Sequence, residues 1–186
     1  MHSSARTERV GVVLRHPERP IPARRRLLLS TVPAVVVAVA AGLAATWWVG
    51  GGGREPQWFF LAWISVLVVS WVALGLSRTP RPFLARPQHP RDVVTARRKA
   101  LHDQHLPSSP SIRIGAAARS CGQLENLALL TGVSVAIAAG AALHPELPWM
   151  PVLVGWGVLT AIAIFGAEPA WAYLRLYERP SHSPTR

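Results

Sequence analysis

Cysteine, lysine and acidic side chains are scarce in this chain, and each shortage removes a class of chemistry. One cysteine, Cys121, admits no disulfide within the chain and no CxxC pair for zinc or redox work. It reads as a small buried apolar residue rather than a reactive thiol. Lys99 is the sole lysine beside nineteen arginines, a bias that points to a GC-rich bacterial genome. Nine acidic residues and seven scattered histidines form no HExxH pattern, and no GxSxG, Walker A or Rossmann glycine pattern occurs. The expectation is therefore a protein with no catalytic set, no cofactor and no metal. His144 and Glu146 are two potential ligands in one turn, too few to define a metal site.

What the chain has in excess is apolar residue, half of the 186 positions, gathered into long uncharged runs. The run that organises the rest is Leu27–Val49, preceded directly by Arg24, Arg25 and Arg26. A hydrocarbon core of about 30 Å needs about 20 helical residues, which this run supplies with some tilt. Its ten Leu and Val residues favour insertion by about 3 to 6 kcal/mol, with no charge to oppose them. Pro33 sits early in the run, and Ser30 or Thr31 is placed to cap a helix starting there. The Arg pair and following leucines resemble a twin-arginine signal, but the run is longer than a signal h-region and three more apolar segments follow.

Those segments are Trp58–Leu76, Leu124–Leu143 and Trp149–Ala167. Glycines 50–53 with Arg54, Glu55 and Pro56 break the chain after the first run, and His144 to Pro148 turn it after the third. The expected fold class is all-α: a polytopic membrane protein with four transmembrane helices arranged as two antiparallel hairpins. Its expected organisation is a basic N-terminal tail (1–26), a first hairpin (27–76), a Pro- and Arg-rich loop (77–122), a second hairpin (123–177) and a C-terminal tail (178–186). Within the loop, Arg91–His105 has few helix breakers and predicts a short helix. Arg97 intrudes on its apolar arc of Val93, Val94, Ala96, Ala100 and Leu101. Ser108–Ser111 predicts a turn and cap before Ile112–Cys121, an interfacial helix leading into the third span.

The net charge of +11 is explained by topology before nucleic acid is considered. Counted by segment, the basic residues number seven, one, nine, none and three, so nineteen lie on one side and one on the other. That split predicts both termini and the central loop inside a bacterial cytoplasmic membrane. Trp47, Trp48, Trp58 and Trp149 would form the outer aromatic belt, and Trp171, Tyr173 and Tyr177 the inner one. No aromatic residues interleave the cationic run Arg97-Arg98-Lys99, which argues against nucleic acid. Contact with anionic inner-leaflet lipid, at about 1 kcal/mol per charge, or with an acidic partner suits that run better.

VAVAAG at 37–42 and VAIAAG at 135–140 occupy corresponding places in the two hairpins, as an internal duplication would produce. At the same offset Ala34, Ala38 and Gly42 match Gly132, Ala136 and Gly140. Small residues at i, i+4 and i+8 line one helix face and admit a second backbone closely, so spans one and three are expected to be packing helices. Abundant Ala and Gly offer a plainer origin for the same match.

Glu125 and Glu168 are the acidic residues in or beside the spans, and a carboxylate there is costly to bury charged. Both are expected near the cytoplasmic ends, with Arg119, Arg175 or lipid headgroups as partners. The functional expectation is a non-enzymatic accessory or assembly component that packs against another membrane protein or a second copy of itself. The alternative is a small dimeric transporter coupled through one of these carboxylates.

Overall fold

A computed structural model describes residues 14–15, 19–51, 56–84 and 90–179. Five helices are found among them: α1 (Arg24–Gly50), α2 (Pro56–Ser77), α3 (Pro90–Asp103), α4 (Pro110–Leu143) and α5 (Trp149–Glu178). Two two-residue strands, β1 (Leu14–Arg15) and β2 (Phe83–Leu84), pair antiparallel with Leu14 opposite Leu84 and Arg15 opposite Phe83. The described residues are predominantly helical, and α1, α2, α4 and α5 are long and apolar enough to cross a membrane. The chain divides into two compact units, one of residues 1–24, 80–124 and 166–186, the other of 25–79 and 125–165.

In the second unit α1 buries Leu27, Thr31, Ala34, Ala38, Gly42, Thr46 and Val49. Steps of three and four place these residues on one stripe. The stripe packs into a core with Phe59, Trp63 and Val66 of α2, Val133, Ala136 and Ile137 of α4, and Trp149 and Trp156 of α5. Contact between α1 and α4 is close. A Cβ added to Gly42 would lie 2.5 Å from that of Ala136, one on Gly132 would lie 2.9 Å from Val35 Cγ1, and one on Gly140 would lie 2.8 Å from Thr46 Oγ1. Gly50 meets His144 in the same way, at 2.5 Å from the ring Nδ1. Aromatic rings fill one end: Trp149 stands edge-on to Phe59 and Trp63, with centroids 5.0 and 5.7 Å apart.

Two helix boundaries differ from expectation. α1 begins at Arg24 and carries Pro33 inside it. The Ser30 and Thr31 hydroxyls do not cap a start at Pro33; they donate to the carbonyls of Leu27 and Leu28, both at 2.7 Å, one turn back in the same helix. The expected interfacial segment and third span form one continuous helix, α4. Pro110 occupies its first turn, where a missing N–H costs nothing, and Arg113 N–H donates to Ser109 O at 3.0 Å. α5 likewise runs unbroken through Pro169.

In the first unit α3 buries Val93, Arg97 and Ala100 on one face. Ala116, Ala117, Ser120 and Cys121 of α4 are fully buried, as are Ala170 and Tyr173 of α5. The Tyr173 hydroxyl donates to Arg113 O at 3.2 Å. Arg24 N–H donates to Glu178 Oε1 at 2.8 Å, and its Nε donates to Oε2 at 2.7 Å, so a carboxylate caps the first residue of α1. The same guanidinium lies 4.7 Å from the centre of the Trp171 ring.

After α3, Gln104 takes φ 55°, a left-handed conformation that costs a side-chain-bearing residue about 1 kcal/mol or more. Its amide offsets part of this by donating to Leu101 O at 2.7 Å. Gln104→Gly is accordingly expected to stabilise the protein by about 0.5 kcal/mol. Thermal unfolding checks this, and a fall in melting temperature would show that the amide contact outweighs the backbone strain.

Candidate functional site

Several hydroxyl side chains in the apolar helices turn back onto their own helices. Thr46, Ser65, Ser70, Thr131 and Ser134 each donate to the carbonyl four residues earlier. Trp156 Nε1 donates to Ser134 Oγ at 2.7 Å, which ties α5 to α4. Among the described residues, Trp63 Nε1, Thr79 Oγ1 and Thr160 Oγ1 are sealed from solvent without a hydrogen bond.

The two carboxylates singled out in the sequence have opposite surroundings. Glu125 is fully buried, and Arg78 at the end of α2 is one of its partners, with Nε 3.1 Å from Oε2. Arg78 Nη2 also donates to Asn126 Oδ1 at 3.2 Å, so one guanidinium holds two adjacent α4 residues. Glu168 is exposed on the wall of an open recess of about 250 Å³, with Arg175, Arg179 and Gln104 also lining it. The basic run is divided too. Arg98 and Lys99 are exposed, whereas Arg97 is 8% exposed and donates through Nη1 to Gln123 Oε1 of α4. Burial lowers the Arg97 pKa from its usual value and Arg119 pushes it the same way, although an arginine stays charged at neutral pH.

All six small residues matched between the first and third spans are buried: Ala34, Ala38 and Gly42 on α1, and Gly132, Ala136 and Gly140 on α4. In the turn after α4, His144 Nδ1 lies 2.8 Å from Glu146 Oε1, and His144 O accepts from Trp149 Nε1 at 2.8 Å. Glu146 is held below the usual carboxylate range first by a backbone hydrogen bond in its own turn and then by His144. The corresponding stabilisation is present above that range and is lost as pH falls through the lowered value. No group of three His, Cys, Asp or Glu residues suited to a metal occurs among the described residues.

Sequence reasoning did not single out Arg78 or Gln123. Both are polar residues at the margin of an apolar run, a signal in itself, but their partners lie on other elements and no spacing rule connects them.

The fold and these sites define a class, a small helical protein with four helices capable of crossing a membrane. No protein-family model matches the chain, and no curated protein or solved structure matches it at the significance applied.

Proposed function

We propose that the protein is a multi-pass component of a bacterial cytoplasmic membrane, with both termini and the basic loop 77–122 in the cytoplasm, serving as a non-enzymatic accessory or assembly subunit. The observation that carries this reading is the internal use of polar groups in the spans, most of which donate within their own helix. Such helices present apolar surface to lipid and to other helices, and offer little to a polar solute. α5 is the span most open to its surroundings, with 11% of its most apolar stretch buried against 28% to 33% in the other three.

The order of contacts supports two antiparallel hairpins in one orientation. Trp48 of α1 meets Trp58 near the start of α2, and Trp149 at the start of α5 meets Gly140 near the end of α4. Val35, Gly42, Thr46 and Gly50 meet Gly132, Ala136, Gly140 and His144 in that order, so the contacts climb α1 and α4 in the same direction. A duplicated hairpin predicts the same register.

Extraction in native lipid particles followed by mass measurement tests the accessory role. A stoichiometric second membrane protein is the expected result. A homo-oligomer with nothing else bound would overturn it and favour the small transporter. For that second reading the buried Glu125 is a better coupling group than the exposed Glu168. Glu125→Gln should then abolish transport, and normal transport by that variant would remove Glu125 from the role.

Topology has a separate check. Cys121 is buried and makes a poor probe, whereas Lys99 is the sole lysine and is exposed. A membrane-impermeant amine reagent, located by peptide mapping, is expected to modify Lys99 in inverted vesicles and leave it unmodified in intact cells. The reverse pattern would invert the proposed arrangement.

A further inference from the structure

The side chains of Arg97 and Arg119 are two like charges that no carboxylate among the described residues neutralises. Arg97 is 92% buried by the measure of its 8% exposure, yet its one hydrogen-bond partner among the described residues is the neutral amide of Gln123. No carboxylate among those residues lies within ion-pair distance of Arg97 or Arg119. Burying an uncompensated guanidinium is costly, and adding a second cation nearby raises the cost. Arg119 is such a neighbour, one helical turn before Gln123 on the same face of α4.

Gln123, the hydrogen-bond partner of Arg97, is itself in close surroundings. The Gln123 amide lies close to Gly166, where an added Cβ would be 3.2 Å from Nε2. Tyr173 packs nearby, fully buried and anchored to Arg113 O. The N–H groups of Arg97 left over from the Gln123 bond are not among the sealed, unbonded polar atoms of the described residues, so they keep a small solvent exposure. A buried guanidinium held by one neutral amide, with a second and exposed guanidinium as its electrostatic neighbour, has the charge and donors to receive an oxyanion.

We propose that Arg97 and Arg119 bind one phosphate group, with the buried Arg97 oriented by Gln123 and the exposed Arg119 completing the contact. The placement favours the phosphodiester of an anionic lipid. Gln123 directly precedes the apolar run beginning at Leu124 on the same helix, and Arg119 lies about 6 Å before it along the axis, the depth at which a spanning helix meets headgroups. The proposal deepens the membrane reading above by replacing a diffuse attraction through Arg98 and Lys99 with one stoichiometric site.

The test uses the full chain in a neutral detergent, titrated separately with phosphatidylglycerol, phosphatidylcholine and inorganic phosphate, with bound species counted by native mass spectrometry. One phosphatidylglycerol per chain is expected, with phosphatidylcholine much weaker. Arg119→Gln, an exposed change that leaves the packing intact, should weaken binding about tenfold, whereas Arg98→Gln with Lys99→Gln should leave it near the wild-type value. Arg97→Gln should abolish binding, with Arg119→Gln deciding the question if that variant does not fold. Binding of inorganic phosphate but not lipid, with the same dependence on Arg119, would support the site and identify a soluble source. Absence of stoichiometric binding, or equal loss in the Arg98/Lys99 variant, would overturn the proposal. The accessory role is judged by its co-purifying partner and stands or falls separately.

Discussion

Gly42→Ala is expected to destabilise the protein by about 1 to 3 kcal/mol, which corresponds to a fall of roughly 2 to 12 °C in melting temperature for a chain of this size. The new Cβ would lie 2.5 Å from Ala136 Cβ. Neither atom rotates about a side-chain bond, so the conflict is relieved only by moving one helix from the other and opening voids elsewhere along the seam. Gly132→Ala is expected to cost less, because the nearest atom, Val35 Cγ1 at 2.9 Å, belongs to a side chain with another rotamer available. Gly75→Ala and Gly155→Ala supply the control, since nothing lies within 4 Å of either added Cβ. Both should leave stability unchanged or raise it by up to about 1 kcal/mol through helix propensity. Thermal unfolding of the four variants in one detergent decides the matter; a Gly42→Ala protein as stable as Gly155→Ala would mean that α1 and α4 are not in contact.

The second large effect is expected at Arg78. Removing this side chain as Arg78→Ala leaves the fully buried Glu125 carboxylate without one of its partners and Asn126 Oδ1 without its donor. The expected cost is about 3 kcal/mol, the low end for stripping one member from a buried pair, because Arg78 itself is 37% exposed and water can enter. Glu125→Gln should cost less, since it removes the charge together with the need to compensate it. The informative variant carries both changes. Its destabilisation should fall short of the summed single effects by about 1 kcal/mol or more, because the second change removes the charge stranded by the first. Strict additivity would show that the two side chains do not act as a pair.

Length and the absence of charge made the four apolar runs legible, because crossing a bilayer imposes a minimum run that few other folds require. Helix ends were less legible. Pro33 invited a start near Ser30, yet its missing N–H deprives only the Leu29 carbonyl of a helical donor, and the hydroxyls of Ser30 and Thr31 found carbonyls one turn back. Arg97 was visible as a charge on an apolar arc, but its burial depends on Gln123, which α4 delivers from 26 residues away. The pairing of Arg78 with Asn126 spans 48 residues and obeys no periodicity. The spacing of small residues on α1 and α4 can be read from either helix alone. That Gly42 faces Ala136, and not its repeat counterpart Gly140, cannot be read that way, since the register depends on the side chains flanking the seam.

The seam between α1 and α4 also sets a schedule for biosynthesis. α1 and α2 are finished while the ribosome has yet to make α4, and at 5 to 20 residues per second the delay between Gly42 and Ala136 is on the order of ten seconds. Throughout that interval α2 alone packs beside the small-residue stripe of α1, and the place of α4 is empty. A helix of another protein with a matching stripe meets an unoccupied partner during those seconds and an occupied one afterwards. Heterotypic pairing at this face is therefore a contest of timing during synthesis, and raising the translation rate between Gly42 and Ala136 shifts its outcome toward the self-contained fold.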